Sequence, residues 1–242
     1  MLFAMLAIYR RTGPDGQPAW LSFGYWEILG LIAKAYVGVC ILYVPLRKWK
    51  WGPPVLLAAL CALNVASRAG LTPWLRGLPF WIWPFGRGDL ASITMAGIVA
   101  SQIFLGGAFA KSIRQKAVWA ITYSGVLFVA GWALIGFGVS KLGATPTWCL
   151  WCSASSVILF LALFWLVDIH GISAWASFAE PAGENTLLTY LLPGVYFAAF
   201  GTFNLGLWTK YGWPGAAQSL IFAAVMLGAV TVLTRYRIRM QL

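Results

Sequence analysis

Long apolar runs alternate with short polar or basic interruptions along most of this chain. Runs at about 25–46, 53–70, 90–110, 116–139, 148–168, 184–206 and 214–235 each approach the ~20 residues that a hydrocarbon core of roughly 30 Å requires. In an open chain only helices satisfy their own backbone groups within lipid, so each run is read as a helix. The pattern predicts an all-α polytopic membrane bundle of about seven transmembrane helices, forming a single membrane domain over 1–242. The second run is the weakest, being short and carrying Asn64. Pro53-Pro54, Pro146, Pro181 and Pro214 fall at or just before helix starts, where a missing N–H costs nothing. Thr145 is placed to cap the helix that Pro146 opens. Pro193-Gly194 falls inside the sixth run and predicts a kink there.

Two connections are longer than turns. Residues 71–88, LTPWLRGLPFWIWPFGRG, mix Trp, Phe, Pro and Arg as an interfacial aromatic loop does. Residues 168–183 link the fifth and sixth runs. The start is different again. Met1–Tyr9 is apolar but too short to span, and a polar stretch, 10-RRTGPDGQPAW-20, follows it. These nine residues read as the tail of a helix, so the expectation is the C-terminal part of a longer membrane domain.

Composition strengthens the membrane reading. Hydrophobic residues make up 61% of the chain and charged residues 10%, where a soluble domain has roughly a quarter charged. The net charge of +11 does not point to nucleic acid, because the cations cluster at the ends of apolar runs, as topology signals do. Examples are 47-RKWK-50, 111-KSIRQK-116 and 235-RYRIR-239. Membrane lipid is the partner this implies, with attraction to anionic headgroups. If the helices alternate, these three clusters share one side, and the positive-inside rule makes that side, with the C-terminus, cytoplasmic.

Ionisable groups are few, which makes each a candidate. The carboxylates are Asp15, Glu27, Asp89, Asp168, Glu180 and Glu184, and the one imidazole is His170. Lys34 lies about two turns after Glu27, on the same helix face. It is read either as lining a polar cavity that attracts an anion or as a snorkelling lysine. Asp168 and His170 end the fifth run, with Gly171 as its stop. Two residues apart on a helix they point away from each other, so a catalytic role for His170 is disfavoured. A carboxylate at a helix C-terminus calls for a partner, such as an Arg.

Cys40, Cys61, Cys149 and Cys152 are read as small buried side chains, with no disulfide framework and no metal site. The pair in 149-CLWC-152 has redox spacing without the strand that such motifs follow. No motif supplies a nucleophile. In 181-PAGENTLLTYLL-192, Glu184 and Asn185 are expected to open a helix, where a carboxylate is favourable. Asn185 is either interhelical glue or part of a ligand cavity.

The segment 145-TPTWCLWCSASSVILFLALFWLVDIHG-171, followed by 181-PAGENTLLTYLL-192, resembles the C-terminal part of the heparan-α-glucosaminide N-acetyltransferase family. Thr145, Pro146, Leu150, Trp151, Ser153, Asp168, Gly171, Pro181, Gly183, Asn185 and Tyr190 carry the likeness. The stretches 24–43, 88–107 and 233–242 are similar to bacterial relatives of that family. The resemblance implies an N- or O-acyltransferase of the bacterial inner membrane. Such an enzyme takes acetyl from cytoplasmic acetyl-CoA and delivers it across the membrane to an amino sugar, glycan or other cell-envelope acceptor. It places Asp168, Asn185, Tyr190 and Trp151, beside the Lys34 of the residue reading, as candidates for the donor or acceptor cavity. It also implies an acid–base histidine in an N-terminal region that has no counterpart here. His170 does not match it, so the chain alone is expected to be inactive. The alternative is a non-enzymatic membrane protein, a small-solute carrier or a structural partner, and the sequence is compatible with an oligomer in either case.

Overall fold

A computed structural model describes residues 7–12, 16–20, 28–78, 82–105, 109–200 and 212–238. Helix dominates. Among the described residues the one pairing of strands joins β1 (Arg11–Thr12) to β2 (Pro18–Ala19), two residues each and antiparallel. The α-helices are α1 (Ile28–Leu46), α2 (Gly52–Arg68), α3 (Asp89–Phe104), α4 (Ile113–Ala133), α5 (Pro146–Leu163), α6 (Glu180–Glu184), α7 (Thr186–Phe200) and α8 (Gly212–Arg235). A π-helical turn, Phe164–Ile169, continues α5, and Gly171 (φ +66°) follows it.

Each apolar run of the sequence overlaps one of these helices, several of which begin one to three residues before the run. Among the described residues, Ile113–Ala133, Pro146–Ile169 and Gly212–Arg235 are long and apolar enough to cross a membrane. Four further apolar helices are shorter: Gly30–Leu46, Gly52–Arg68, Asp89–Phe104 and Thr186–Phe197. Outward-facing side chains suit lipid. Val118, Ile121, Val126, Phe128 and Val129 are all exposed on α4, and Leu220, Ile221 and Val225 on α8. A contiguous apolar surface of this kind is unfavourable in water and matched to hydrocarbon.

The chain forms two compact units, Met1–Leu163 and Phe164–Leu242. In the first, α3 is central and packs on α1, α2, α4 and α5. Its buried positions, Ala91, Ser92, Met95, Ala96, Val99 and Ile103, recur every three or four residues. Three of them, Ala91, Ser92 and Ala96, are small, which lets neighbouring backbones approach closely. Val39, Leu57, Leu60, Leu127, Leu150 and Ala154 complete the core around Met95. The α4–α5 pair is tied by hydroxyls that donate to carbonyls of the facing segment. Ser124 Oγ donates to Ala154 O at 2.9 Å, and Thr147 Oγ1 to Leu134 O at 2.6 Å. A capping box starts α4: Ser112 Oγ accepts the Gln115 N–H, and Gln115 Oε1 accepts the Ser112 N–H. The Thr145 hydroxyl, expected as a helix cap, accepts from the Ser140 N–H and so fastens the preceding loop.

In the second unit α6, α7 and α8 pack pairwise. The sixth apolar run does not begin as expected. Glu184 closes the short helix α6, Asn185 breaks the helix with φ −125° and ψ 54°, and α7 starts at Thr186. Glu180 takes the first turn of α6, where the helix dipole favours a carboxylate. Pro193 lies inside α7. At the end of α8 the Ile238 N–H reaches Leu233 O and the Arg237 N–H reaches Thr234 O, the two bonds of a Schellman cap. Arg237 holds the left-handed position (φ +60°) that glycine usually fills.

Candidate functional site

The polar cavity of the first unit is built by α1, the end of α2, the loop before α3 and the first turn of α3. Its volume is about 440 Å³. Lys34 enters it from α1, six residues and so about 9 Å beyond the helix start at Ile28. Ser67 of α2, Trp83, Phe85 and Arg87 of the loop, and Asp89 of α3 complete its functional lining. Glu27, the expected partner of Lys34 on the same face, lies outside the described residues.

Two glycines let the loop close over the helices. A Cβ on Gly38 of α1 would sit 3.1 Å from Pro84 O, so the loop backbone rests directly on that helix. Gly88 has φ +79°, and a Cβ there would lie 2.5 Å from Leu60 O of α2. That approach sets Asp89 at the start of α3, where its Oδ1 accepts the Leu90 N–H at 2.8 Å. The positive end of the helix dipole favours the carboxylate there. Trp83 is fixed by its Nε1, which donates to Gly86 O at 2.7 Å, and by an edge contact with Phe85 at 4.9 Å. Residues 83–87 of the loop 71–88, expected at the membrane interface, therefore also form a wall of this cavity. Lys34 and Arg87 can hold an anionic group, Trp83 offers an aromatic face, and Asp89 accepts hydrogen bonds from an amine or hydroxyl.

Beside the cavity, α2 carries a second polar stripe. Asn64, 1% exposed, donates to Ala144 O at 3.3 Å. Asn64 Oδ1, Arg68 Nε and Nη2, and Thr72 Oγ1 are buried without partners among the described residues. Asn64 and Arg68, four residues apart, share one face of α2, and Thr72 lies beyond the end of that helix.

The other candidates sit elsewhere. Trp151 stacks on Phe128 (5.5 Å, 16° between planes) and donates through Nε1 to Phe128 O at 3.2 Å. Asp168, Asn185 and Tyr190 belong to the second unit. Asp168 is exposed, and no hydrogen bond or ion pair joins it to another described residue, so the expected arginine partner is not found there. His170 lies against Trp165, with ring centroids 4.0 Å apart and Nδ1 2.9 Å from Trp165 O. Asn185, 1% exposed, donates to Thr234 Oγ1 at 3.1 Å and to Ile238 O at 2.8 Å. Tyr190 is exposed on α7. The four cysteines are free thiols, and Cys149 is buried with Sγ 3.6 Å from Ala144 O.

Sequence reasoning singled out Lys34 and the loop but not Arg87, Asp89 or Ser67 as their companions. The signal for Asp89 was local: a carboxylate directly after Gly88, at the mouth of an apolar run. No protein-family model, curated protein or solved structure matches this chain.

Proposed function

We propose that this chain belongs to a membrane acyltransferase-like protein and that the Lys34–Asp89 cavity receives the acceptor, an amino sugar carrying an anionic group. The observation that supports this reading is the convergence of Lys34, Arg87, Trp83 and Asp89 on one cavity. Lys34 and Arg87 pair with the anion, Trp83 stacks on the sugar ring, and Asp89 accepts from the ammonium or a hydroxyl. The donor is acetyl-CoA from the cytoplasm. All seven apolar helices span the membrane in this reading. The shorter ones hold 15 to 19 residues, or about 22–28 Å, close to the ~30 Å core. The C-terminus is cytoplasmic, in a bacterial inner membrane, and the loop 71–88 then faces the opposite side, where an envelope acceptor is met.

The test is transfer of labelled acetyl from acetyl-CoA to glucosamine 1-phosphate in membranes that contain the full-length protein. Transfer that falls roughly tenfold or more with Lys34→Gln or Asp89→Asn supports the reading. Absence of transfer, with uptake of labelled glucosamine 1-phosphate into proteoliposomes, would replace it with a solute carrier.

A further inference from the structure

We infer that a second cavity of the first unit holds one acyl chain of an anionic phospholipid. This does not rest on the acyltransferase reading. The cavity, about 440 Å³, lies among α2, α3, α4 and α5. Its α2 wall is Trp51, Pro54, Leu57, Ala58 and Cys61, and its α4 wall runs from Trp119 to Ala130. The spacings of three and four keep each wall on one helix face. The α2 wall spans ten residue steps, or about 15 Å, which is half of the ~30 Å hydrocarbon core and so the depth of one leaflet. Trp51 and Val126 are exposed on its edge, so the cavity opens onto the lipid-facing surface. Carbon dominates the interior, and the Tyr123 hydroxyl that reaches it already donates to Ala96 O at 3.1 Å. A polar solute finds little to bond with here; an alkyl chain loses nothing.

The mouth selects the headgroup. Trp51, Phe109 and Trp119 meet there, with centroids 5.2 and 5.3 Å apart. Lys50 Nζ lies 5.8 Å from the Trp51 ring centroid. Tryptophan clusters suit the level of lipid headgroups. The basic runs 47-RKWK-50 and 111-KSIRQK-116 border these same rings: Lys50 precedes Trp51, Lys111 follows Phe109 by two residues, and Lys116 precedes Trp119 by about one turn. Together the runs hold three plus three cations and no carboxylate. An apolar slot beneath a cationic, aromatic rim is complementary to a lipid with an anionic head. A zwitterionic lipid brings the same chain but no net charge. Discrimination of about fivefold per engaged cation is expected.

The experiment is native mass spectrometry of the purified protein given equimolar phosphatidylglycerol and phosphatidylethanolamine. The expected result is retention of one phosphatidylglycerol, at least about fivefold over the zwitterionic lipid, with a preference that falls as salt rises. Ala58→Phe fills the slot and should abolish retention of either lipid, with helical circular dichroism unchanged. Changing Arg47, Lys48 and Lys50 together to Gln should remove the preference while leaving the slot intact; these exposed sites keep the test decisive if Ala58→Phe does not fold. Equal retention of both lipids, retention unaffected by the charge removal, or displacement of phosphatidylglycerol by acetyl-CoA would overturn the inference. The last outcome would assign the slot to an acyl donor.

Discussion

Replacing Asn185 by Ala separates a structural tie from a ligand-binding group. The side chain is 1% exposed and spends both amide hydrogens within its own unit, on Thr234 Oγ1 at 3.1 Å and Ile238 O at 2.8 Å. Interhelical hydrogen bonds of membrane proteins are worth about 0.6 kcal/mol on average, up to about 1.7. Two of them give roughly 1–3 kcal/mol, or about five- to 150-fold in the folding equilibrium. The assay is reversible unfolding in mixed micelles, followed by tryptophan fluorescence, beside ligand titration of the fraction that remains folded. Asn185→Ala should lose that stability and leave affinity for glucosamine 1-phosphate per folded molecule unchanged. A double-mutant cycle with Thr234→Val should show a coupling of about 0.6 kcal/mol. Unchanged stability with lost affinity would refute the assignment of Asn185 as a tie and return it to a ligand cavity.

Three further outcomes are expected. Gly88→Ala places a Cβ 2.5 Å from Leu60 O in a left-handed backbone, costing about 1–2 kcal/mol for the conformation alone, and should lower the unfolding midpoint and weaken ligand binding through Asp89. Arg68→Met should leave stability unchanged or raise it. It removes two buried guanidinium donors that lack partners among the described residues, each costing roughly 1–3 kcal/mol, against a helix-terminus benefit of about 0.3–1. A clear loss of stability on unfolding would show that Arg68 is paired in solution. Trp151→Phe keeps a ring against Phe128 but loses the bond to Phe128 O, so a loss of roughly 0.5–1.5 kcal/mol is expected in the same assay.

The positions of the helices were legible because an apolar run of membrane length has few alternatives, and Pro53, Pro146 and Pro214 mark helix starts in the structure as in the sequence. Which faces pack together was not legible. Lipid and protein interior are both apolar, so the exposed Val126 and the buried Leu127 look alike along the chain. The break at Asn185 was hidden for a related reason: an uninterrupted apolar pattern resumes at Thr186, and the bonds that hold Asn185 come from Thr234 and Ile238, about fifty residues away. Lys34 stood out as a cation inside an apolar helix. Its cavity did not, because Asp89 and Arg87 reach it only through the close approaches at Gly38 and Gly88.

The most direct test of the Lys34–Asp89 cavity is calorimetric titration of the purified protein with glucosamine 1-phosphate. The account predicts saturable binding that weakens about tenfold in Lys34→Gln, equivalent to about 1.4 kcal/mol, and weakens also in Asp89→Asn. No binding to the folded protein, or the same affinity in both variants, would contradict it.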